Sequence, residues 1–405
     1  MDPFDHKRLG REMKFYHQDD EIGRGLPLWL PNGMAVREEL EKLMKELEHK
    51  AGYARVSSPH MAREALYEKS GHLSFFSENM YPPIRVGDGE VYRLRPMNCP
   101  HHNRIFASDL RSYRDLPLRL AEYGQVYRLE ESGALSGLLR VRGLCINDAH
   151  IYCRRDQVLE EMKSVMRMHL EVYRILGIDR YHVRLSKSDP ADKAKFVDDE
   201  ASWAWAEGVL REALVALAIP FEEVEGEAAF YGPKIDWQLV SASGREMTAS
   251  TAQIDFASAE RLDLSYVGEG GGRERPVIIH RAPMGSHERM VAFLMELYKG
   301  VFPSWLAPVQ VRVLPVGDAQ VPAAERLVGE LRSRMLRAEI DRSGESLGKR
   351  VRLALSERVA HIAVIGAKEA LDGRVSVRSR GGQRDFSVAE FVAEIERRSR
   401  ERIRD

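Results

Sequence analysis

Two scattered sets of side chains among the 405 residues are suited to chemistry. The first comprises Cys99 in Arg95-Pro-Met-Asn-Cys-Pro100, His150 in Asn147-Asp-Ala-His150, and His280, which ends the apolar run Val277-Ile-Ile279. One thiolate and two imidazoles would make a zinc site with positions left open for a ligand. Residues this far apart in sequence are more often unrelated, so spacing by itself does not establish the metal site. The second set is arginine: Arg128 in Arg128-Leu-Glu130, Arg140 in Arg140-Val-Arg-Gly143, and Arg289 after Gly285-Ser-His-Glu288. Converging on one sheet, they would clamp a nucleoside triphosphate by planar, bidentate contacts. The alternative is three surface ion pairs of little energetic weight. Gly268-Glu-Gly-Gly-Gly272 precedes an apolar strand and no helix, so it lacks the helix N-terminus that phosphate binding needs; the run predicts a hairpin turn.

The elements that must position these residues follow from periodicity and breakers. Leu40, Leu43, Met44 and Leu47 predict a helix from about Ala35 to the stop at Gly52. Further helices are predicted over 157–176, 200–217 and 284–298, and strands over 118–128, 181–185, 235–240, 251–256 and 277–279. Gly87-Asp-Gly89 marks a turn. Without strict alternation, this body reads as α+β on an antiparallel sheet. After the Phe302–Pro308 linker, strands (309–316, 362–366, 375–379) alternate with helices (323–338, 388–400), which predicts a small α/β domain with a mostly parallel sheet. The expected domains are therefore 1–304 and 305–405.

Composition narrows the class. Hydrophobic residues make up 44% and charged residues 30%, ordinary values that exclude collagen-like and largely disordered chains. The net charge of −1 conceals a split: residues 309–405 hold 20 Lys/Arg against 15 Asp/Glu, a balance of +5. A basic C-terminal module on an acidic body points weakly to nucleic acid. Three cysteines make no disulfide framework, which favours a reducing, cytoplasmic compartment. The N-terminus has no signal-peptide core, and no apolar run suggests a membrane span.

Taken together, the strings resemble a known family. Arg128-Leu-Glu130, its loop, Arg140 and the downstream Gly285–Arg289 helix start resemble motifs 2 and 3 of class II aminoacyl-tRNA synthetases, and Pro59 after the first helix resembles motif 1. Arg95–Pro100, Ser112–Arg119, Arg140–Gly143, Asp148–His150, Phe230–Lys234 and His280–Ala282 are similar, in order, to the threonyl-tRNA synthetases. That resemblance implies a class II catalytic fold with an anticodon-binding domain, and a reaction joining threonine to tRNA(Thr) through ATP and an adenylate. It implies Arg128 and Arg289 as catalytic arginines, with Glu130 on adenine and Arg140 and Arg289 at the far phosphates beside Mg²⁺. It also implies one Zn²⁺ per subunit on Cys99, His150 and His280, so that threonine's amine and hydroxyl can coordinate where valine's methyl cannot. Asp148 would pair with the ammonium, Tyr231, Gln253 and Met97 would contact the substrate, and His72 would assist transfer to tRNA. Lys349, Arg352, Arg358, Glu369 and Arg378 would contact unstacked anticodon bases. The family further implies a homodimer, with no membrane or DNA partner.

Departures from the family pattern give further expectations. Ile146 and Thr248 stand where the family commonly has glutamines near the nucleotide, and Ser343-Gly-Glu-Ser346 replaces the usual Asn-Glu-Lys run. The family's N-terminal ubiquitin-like and editing domains have no counterpart here, so serine mischarging that this chain cannot correct is expected. The rivals are a paralogue that passes threonine to another acceptor and a non-catalytic RNA-binding regulator.

Overall fold

The computed structural model describes residues 3–404 except Asp88, Ala194, Ala242, Ser243 and Arg245, so the expected turn at Asp88 lies outside the described residues. Two compact units follow no single cut in the chain. One comprises residues 20–26 and 44–290; the other comprises 1–19, 27–43 and 291–405.

The first unit is built on an eight-stranded sheet. Its strands are β1 (Ala54–Arg55), β2 (Leu118–Tyr127), β3 (Gly143–Cys153), β4 (Tyr181–Ser186), β5 (Glu222–Val224), β6 (Lys234–Val240), β7 (Glu246–Asp255) and β8 (Val277–Ala282). They lie in the order β5-β4-β6-β7-β8-β3-β2-β1. The six central strands are antiparallel neighbours, and only the short edge strands pair in parallel. The expected antiparallel α+β body is thus observed.

The helix over Pro31–Lys50 (α1) starts four residues before the expected Ala35. Among the elements that were not expected, two carry the site: α2 (Cys99–Phe106) and β3. In β3 polar Asn147, Asp148 and His150 interrupt the apolar alternation that marks a strand: one face is buried throughout, and the other, half-buried at Leu144, Ile146 and Asp148, carries the site. The helix α3 (Val158–Leu176) buries Val158, Met162, Val165, Met166, His169, Val172, Tyr173 and Leu176, a 3.6-residue stripe, and stops at Gly177 with φ +64°. It covers the sheet face that carries Trp237, whose ring stacks on His169 at 4.2 Å. The opposite face is left for the site. Helix α4 (Glu200–Ala216) and the start of α5 (His287–Leu297) complete this unit. The Gly268–Gly272 run joins the paired strands Tyr266–Val267 and Arg273–Glu274, the predicted hairpin.

The second unit holds a five-stranded sheet of β9 (Val311–Pro315), β10 (Ala338–Ile340), β11 (His361–Ile365), β12 (Arg374–Ser379) and β13 (Gly382–Ser387), ordered β10-β9-β11-β12-β13. Three strands are parallel, whereas β12 and β13 add antiparallel. Helices α6 (Val321–Ser333) and α9 (Val388–Arg400) bury Leu327, Val328, Leu331, Phe391, Val392 and Ile395 against Val313, Ala363 and Ile365. Helix α7 (Leu347–Ser356) closes the other face through Ala354 on Leu314 and Ile362, which is how a parallel sheet is kept dry. The helix expected over 323–338 ends at Ser333. Met335 turns left-handed, φ +61°, and the chain re-enters as β10. No described helix is long and apolar enough to cross a membrane.

Candidate active site

Strand register places the scattered residues in one row. Leu120 of β2 faces His150, His150 faces His280, His280 faces Gln253, and Gln253 faces Lys234. Directly paired residues share a sheet face, as do residues two apart on one strand. The same face therefore carries Asp148, Ile146 and Glu122, the last paired with Asp148. Cys99 comes from outside the sheet, as the first residue of α2.

Cys99, His150 and His280 each offer a donor atom, and the three atoms lie within 4.8 Å of one another, all buried. The His150 and His280 rings are edge to face at 4.5 Å. Burial pushes the Cys99 thiol well above its usual range, with Asp148 and Asp255 adding to it, and burial holds His150 neutral. A soft thiolate and two neutral imidazoles are the donors zinc prefers, and the cation would supply the charge that keeps the thiol ionised. His280 already has the support a ligating histidine needs: its Nε2 meets Asp255 Oδ2 at 2.9 Å, leaving Nδ1 free. The residues fit the metal.

Beside this trio, Asp148 is half-buried, and desolvation raises its carboxyl above its ordinary value; Asn98 Nδ2 donates to it at 2.9 Å. Tyr231 stacks on His280 at 5.0 Å and donates its hydroxyl to Gln253 Oε1 at 2.6 Å. Met97 is half-buried in the segment entering α2. His72 is buried, its Nδ1 2.9 Å from Ser70 Oγ and its Nε2 3.5 Å from Cys99 Sγ; burial first, then His280, lowers it to about 4. It is therefore neutral at neutral pH.

Two of the three arginines have no carboxylate partner among the described residues. Arg128 Nε reaches only Pro96 O, at 3.4 Å, and its guanidinium lies 5.8 Å from the Phe76 ring. Arg289 Nη1 donates to Thr248 O at 2.8 Å. Both are depressed by burial, Arg289 further by Arg128 and Arg140. A cluster of desolvated cations without carboxylate partners has the chemistry that suits a polyanion. Arg140 differs, because its Nε pairs with Glu130 Oε2 at 2.8 Å. The two residues expected on opposite ends of ATP hold each other here. Of the expected-glutamine positions, Ile146 bridges to Ser286, and Thr248 Oγ1 donates to Gln238.

Residues 85–298 match the tRNA synthetase class II core domain (G, H, P, S and T), more than half the chain. A solved RNA-binding domain of threonyl-tRNA synthetase from Cryptosporidium parvum Iowa II superposes with TM-score 0.92 at 34% identity, over 96% of this chain and 97% of that one. The chain belongs to the threonyl-tRNA synthetase family. Residues 310–398 match the anticodon binding domain. Threonine–tRNA ligases of Geobacillus sp. (strain WCH70) and Staphylococcus aureus (strain JH9) are each 46% identical over 96% of this chain. The chain spans about 61% of the length of these curated relatives. Prolyl-tRNA synthetase of C. parvum shares the fold at TM-score 0.73 and 15% identity.

Within this threonyl-tRNA synthetase family member, the expected anticodon residues do not form one cluster. Arg358 and Arg378 line a cavity of about 320 Å³, together with Arg380, Arg384, His361 and Phe386. Lys349 and Arg352 lie on α7, with Lys349 paired to Glu345 at 2.7 Å. Glu369 caps α8 (Ala367–Asp372), accepting from Gly366 N at 3.0 Å.

Sequence reasoning missed four site residues. Asp255 and Asn98 hold His280 and Asp148. His102 and Glu122 stand behind His150, with His102 Nδ1 at 2.8 Å from His150 Nδ1 and its Nε2 at 2.9 Å from Glu122 Oε2. The available signal was the Cys99-Pro-His-His102 spacing, which puts Cys99 and His102 on one helix face once α2 is recognised.

Proposed function

We propose that this protein is a threonine–tRNA ligase: it activates L-threonine with ATP to threonyl-adenylate and pyrophosphate, then transfers the threonyl group to the 3′ end of tRNA(Thr). What carries the reading is one sheet face on which Cys99, His150 and His280 converge within 4.8 Å beside half-buried Asp148, with Arg128 and Arg289 lacking carboxylate partners among the described residues. Residues 1–304 serve as the catalytic domain and 305–405 as the anticodon-binding domain. The ligase acts as a cytoplasmic homodimer.

Arg128 bridges the attacking carboxylate and the α-phosphate, reducing their repulsion and stabilising the charge that builds between them. Arg289 holds the far phosphates with Mg²⁺. Arg140 joins it there once nucleotide binding releases it from Glu130, whose carboxylate is then free for the adenine amino group. Asp148 receives the threonine ammonium, Tyr231, Gln253 and Met97 enclose the side chain, and neutral His72 takes a proton from the tRNA hydroxyl. Cys99, His150 and His280 hold Zn²⁺, which when bound supplies coordination sites for the substrate's amine and hydroxyl. Selection by a hydroxyl that must be coordinated rejects valine far more strongly than an apolar pocket does. Arg358 and Arg378 are the anticodon contacts best supported by their shared cavity; Lys349, Arg352 and Glu369 complete the proposed set.

Threonine-dependent pyrophosphate exchange, run with threonine, serine and valine and with and without a zinc chelator, tests activation, and charging of tRNA(Thr) tests transfer. Exchange without charging would favour another acceptor, absence of exchange a non-catalytic regulator, and exchange surviving complete zinc removal would sink the metal assignment.

A further inference from the structure

Behind the proposed zinc ligands lies a hydrogen-bond chain whose direction can be read from its donors. Glu122 accepts from Ser58 N at 3.0 Å, Ser58 Oγ at 2.7 Å and Arg95 Nη2 at 3.1 Å; Glu122 and Arg95 are buried and Ser58 is half-buried. Three donors, one of them a fully buried guanidinium, require an ionised carboxylate, which can only accept. The fourth contact, with His102 Nε2 at 2.9 Å, therefore places the ring hydrogen of His102 on Nε2. The lone pair of His102 is then at Nδ1, facing His150 Nδ1 at 2.8 Å. The hydrogen in that contact belongs to His150, so the lone pair of His150 is at Nε2.

His280 reaches the matching state by a shorter route. Asp255 Oδ1 accepts from the amides of Ala257 and Ser258, and its Oδ2 takes the Nε2 hydrogen of His280 directly. His150 has no carboxylate of its own in reach among its described contacts. Its partner is an imidazole, and the carboxylate stands one residue further back. The same helix turn supplies both layers, because Cys99 and His102 lie three residues apart on α2.

We infer that His102, anchored by Glu122, is the positioning residue that fixes the tautomer of His150 and aims its Nε2 lone pair at the metal. The inference rests on the zinc reading above. Outer-shell partners of metal-ligating histidines are worth about 10- to 100-fold in metal affinity.

Zn²⁺ affinity of the whole chain, measured by competition with a fluorescent chelator, tests it in three proteins. His102→Leu removes the acceptor and is expected to weaken binding about 10- to 100-fold. His102→Asn puts a carbonyl oxygen near the position of Nδ1 and is expected to recover much of that loss. Zinc affinity of His102→Leu equal to wild type overturns the relay while leaving the metal reading intact. A wild-type chain that takes up no stoichiometric Zn²⁺ overturns the metal reading itself. A second readout needs no destabilising variant: ring-¹⁵N spectra of the zinc-free wild-type chain, with His150 assigned through His150→Gln, are expected to show the Nδ1–H tautomer. An Nε2–H tautomer at His150 refutes the inference even if His102→Leu fails to fold.

Discussion

Gly285 sits where backbone geometry and proposed catalysis meet, so Gly285→Ala is a sharp test of how the arginine site is positioned. Its φ is +58°, and an added Cβ would lie 1.9 Å from Ala249 O, a backbone atom of β7 that cannot rotate away. Real Cβ atoms essentially never come closer than 3.0 Å, so the turn or the strand must yield by the difference of about 1 Å. The left-handed conformation costs a non-glycine residue about 1–2 kcal/mol, and forced overpacking adds about 1–3 kcal/mol, for a total of about 2–5 kcal/mol. The displacement cannot stay local. Gly285 O accepts from Asn147 N at 2.9 Å, Ser286 Oγ accepts from Arg289 N at 3.2 Å, and Arg289 holds Thr248 O, next to Ala249. Misplacing a positioning group by about 1 Å costs on the order of 100-fold in rate. Urea unfolding should show the stability loss, and pyrophosphate exchange should show the rate loss together with a raised KM for ATP. Gly208→Ala, in α4 with nothing within 4 Å of the new methyl, is the control and should stabilise by about 0.5–1 kcal/mol. Unfolding midpoint and exchange rate both within about twofold of wild type in Gly285→Ala would refute this account of the turn.

Three further outcomes are expected. Arg128→Lys keeps the charge but loses the planar fork, so exchange should fall at least about 100-fold with thermal unfolding unchanged; near-normal exchange would remove Arg128 from the reaction. Serine, which has the same amine and hydroxyl as threonine, should support measurable exchange and mischarging by this chain, whereas valine should not; rejection of serine at the level of valine would contradict selection by coordination. Glu122, which burial alone would raise, is brought down to about 2 by its donors His102, Ser58 and Arg95. A depressed folded pKa means that its stabilisation is present above the unfolded value of 4.5 and is lost as pH falls towards 2. The loss amounts to about 3 kcal/mol, and acid titration of unfolding stability should show it in wild type and not in Glu122→Gln.

Much of this protein could be read from its residues alone. The 3.6-residue stripe of α3 and the hairpin at Gly268–Gly272 both follow from local pattern, the first from apolar periodicity and the second from the glycine run between short strands. The ordered strings around Arg128, Arg140, His150 and His280 were enough to indicate the family and to propose its metal ligands. Local pattern failed where polar residues sit within a strand or where a turn is left-handed: β3 carries Asn147, Asp148 and His150 at the heart of a sheet, and Met335 turns left-handed just after a helix whose apolar spacing continues past it. Only the tertiary structure could settle which distant residues meet. Register across five strands aligns Leu120, His150, His280, Gln253 and Lys234, and a one-residue slip would send half of them to the opposite face. The same packing drew Glu122 and His102 behind His150 and left Arg128 and Arg289 without carboxylate partners among the described residues. Side-chain chemistry is a property of each residue in the sequence; the burial, register and unpaired charge that make it a site are properties of the fold.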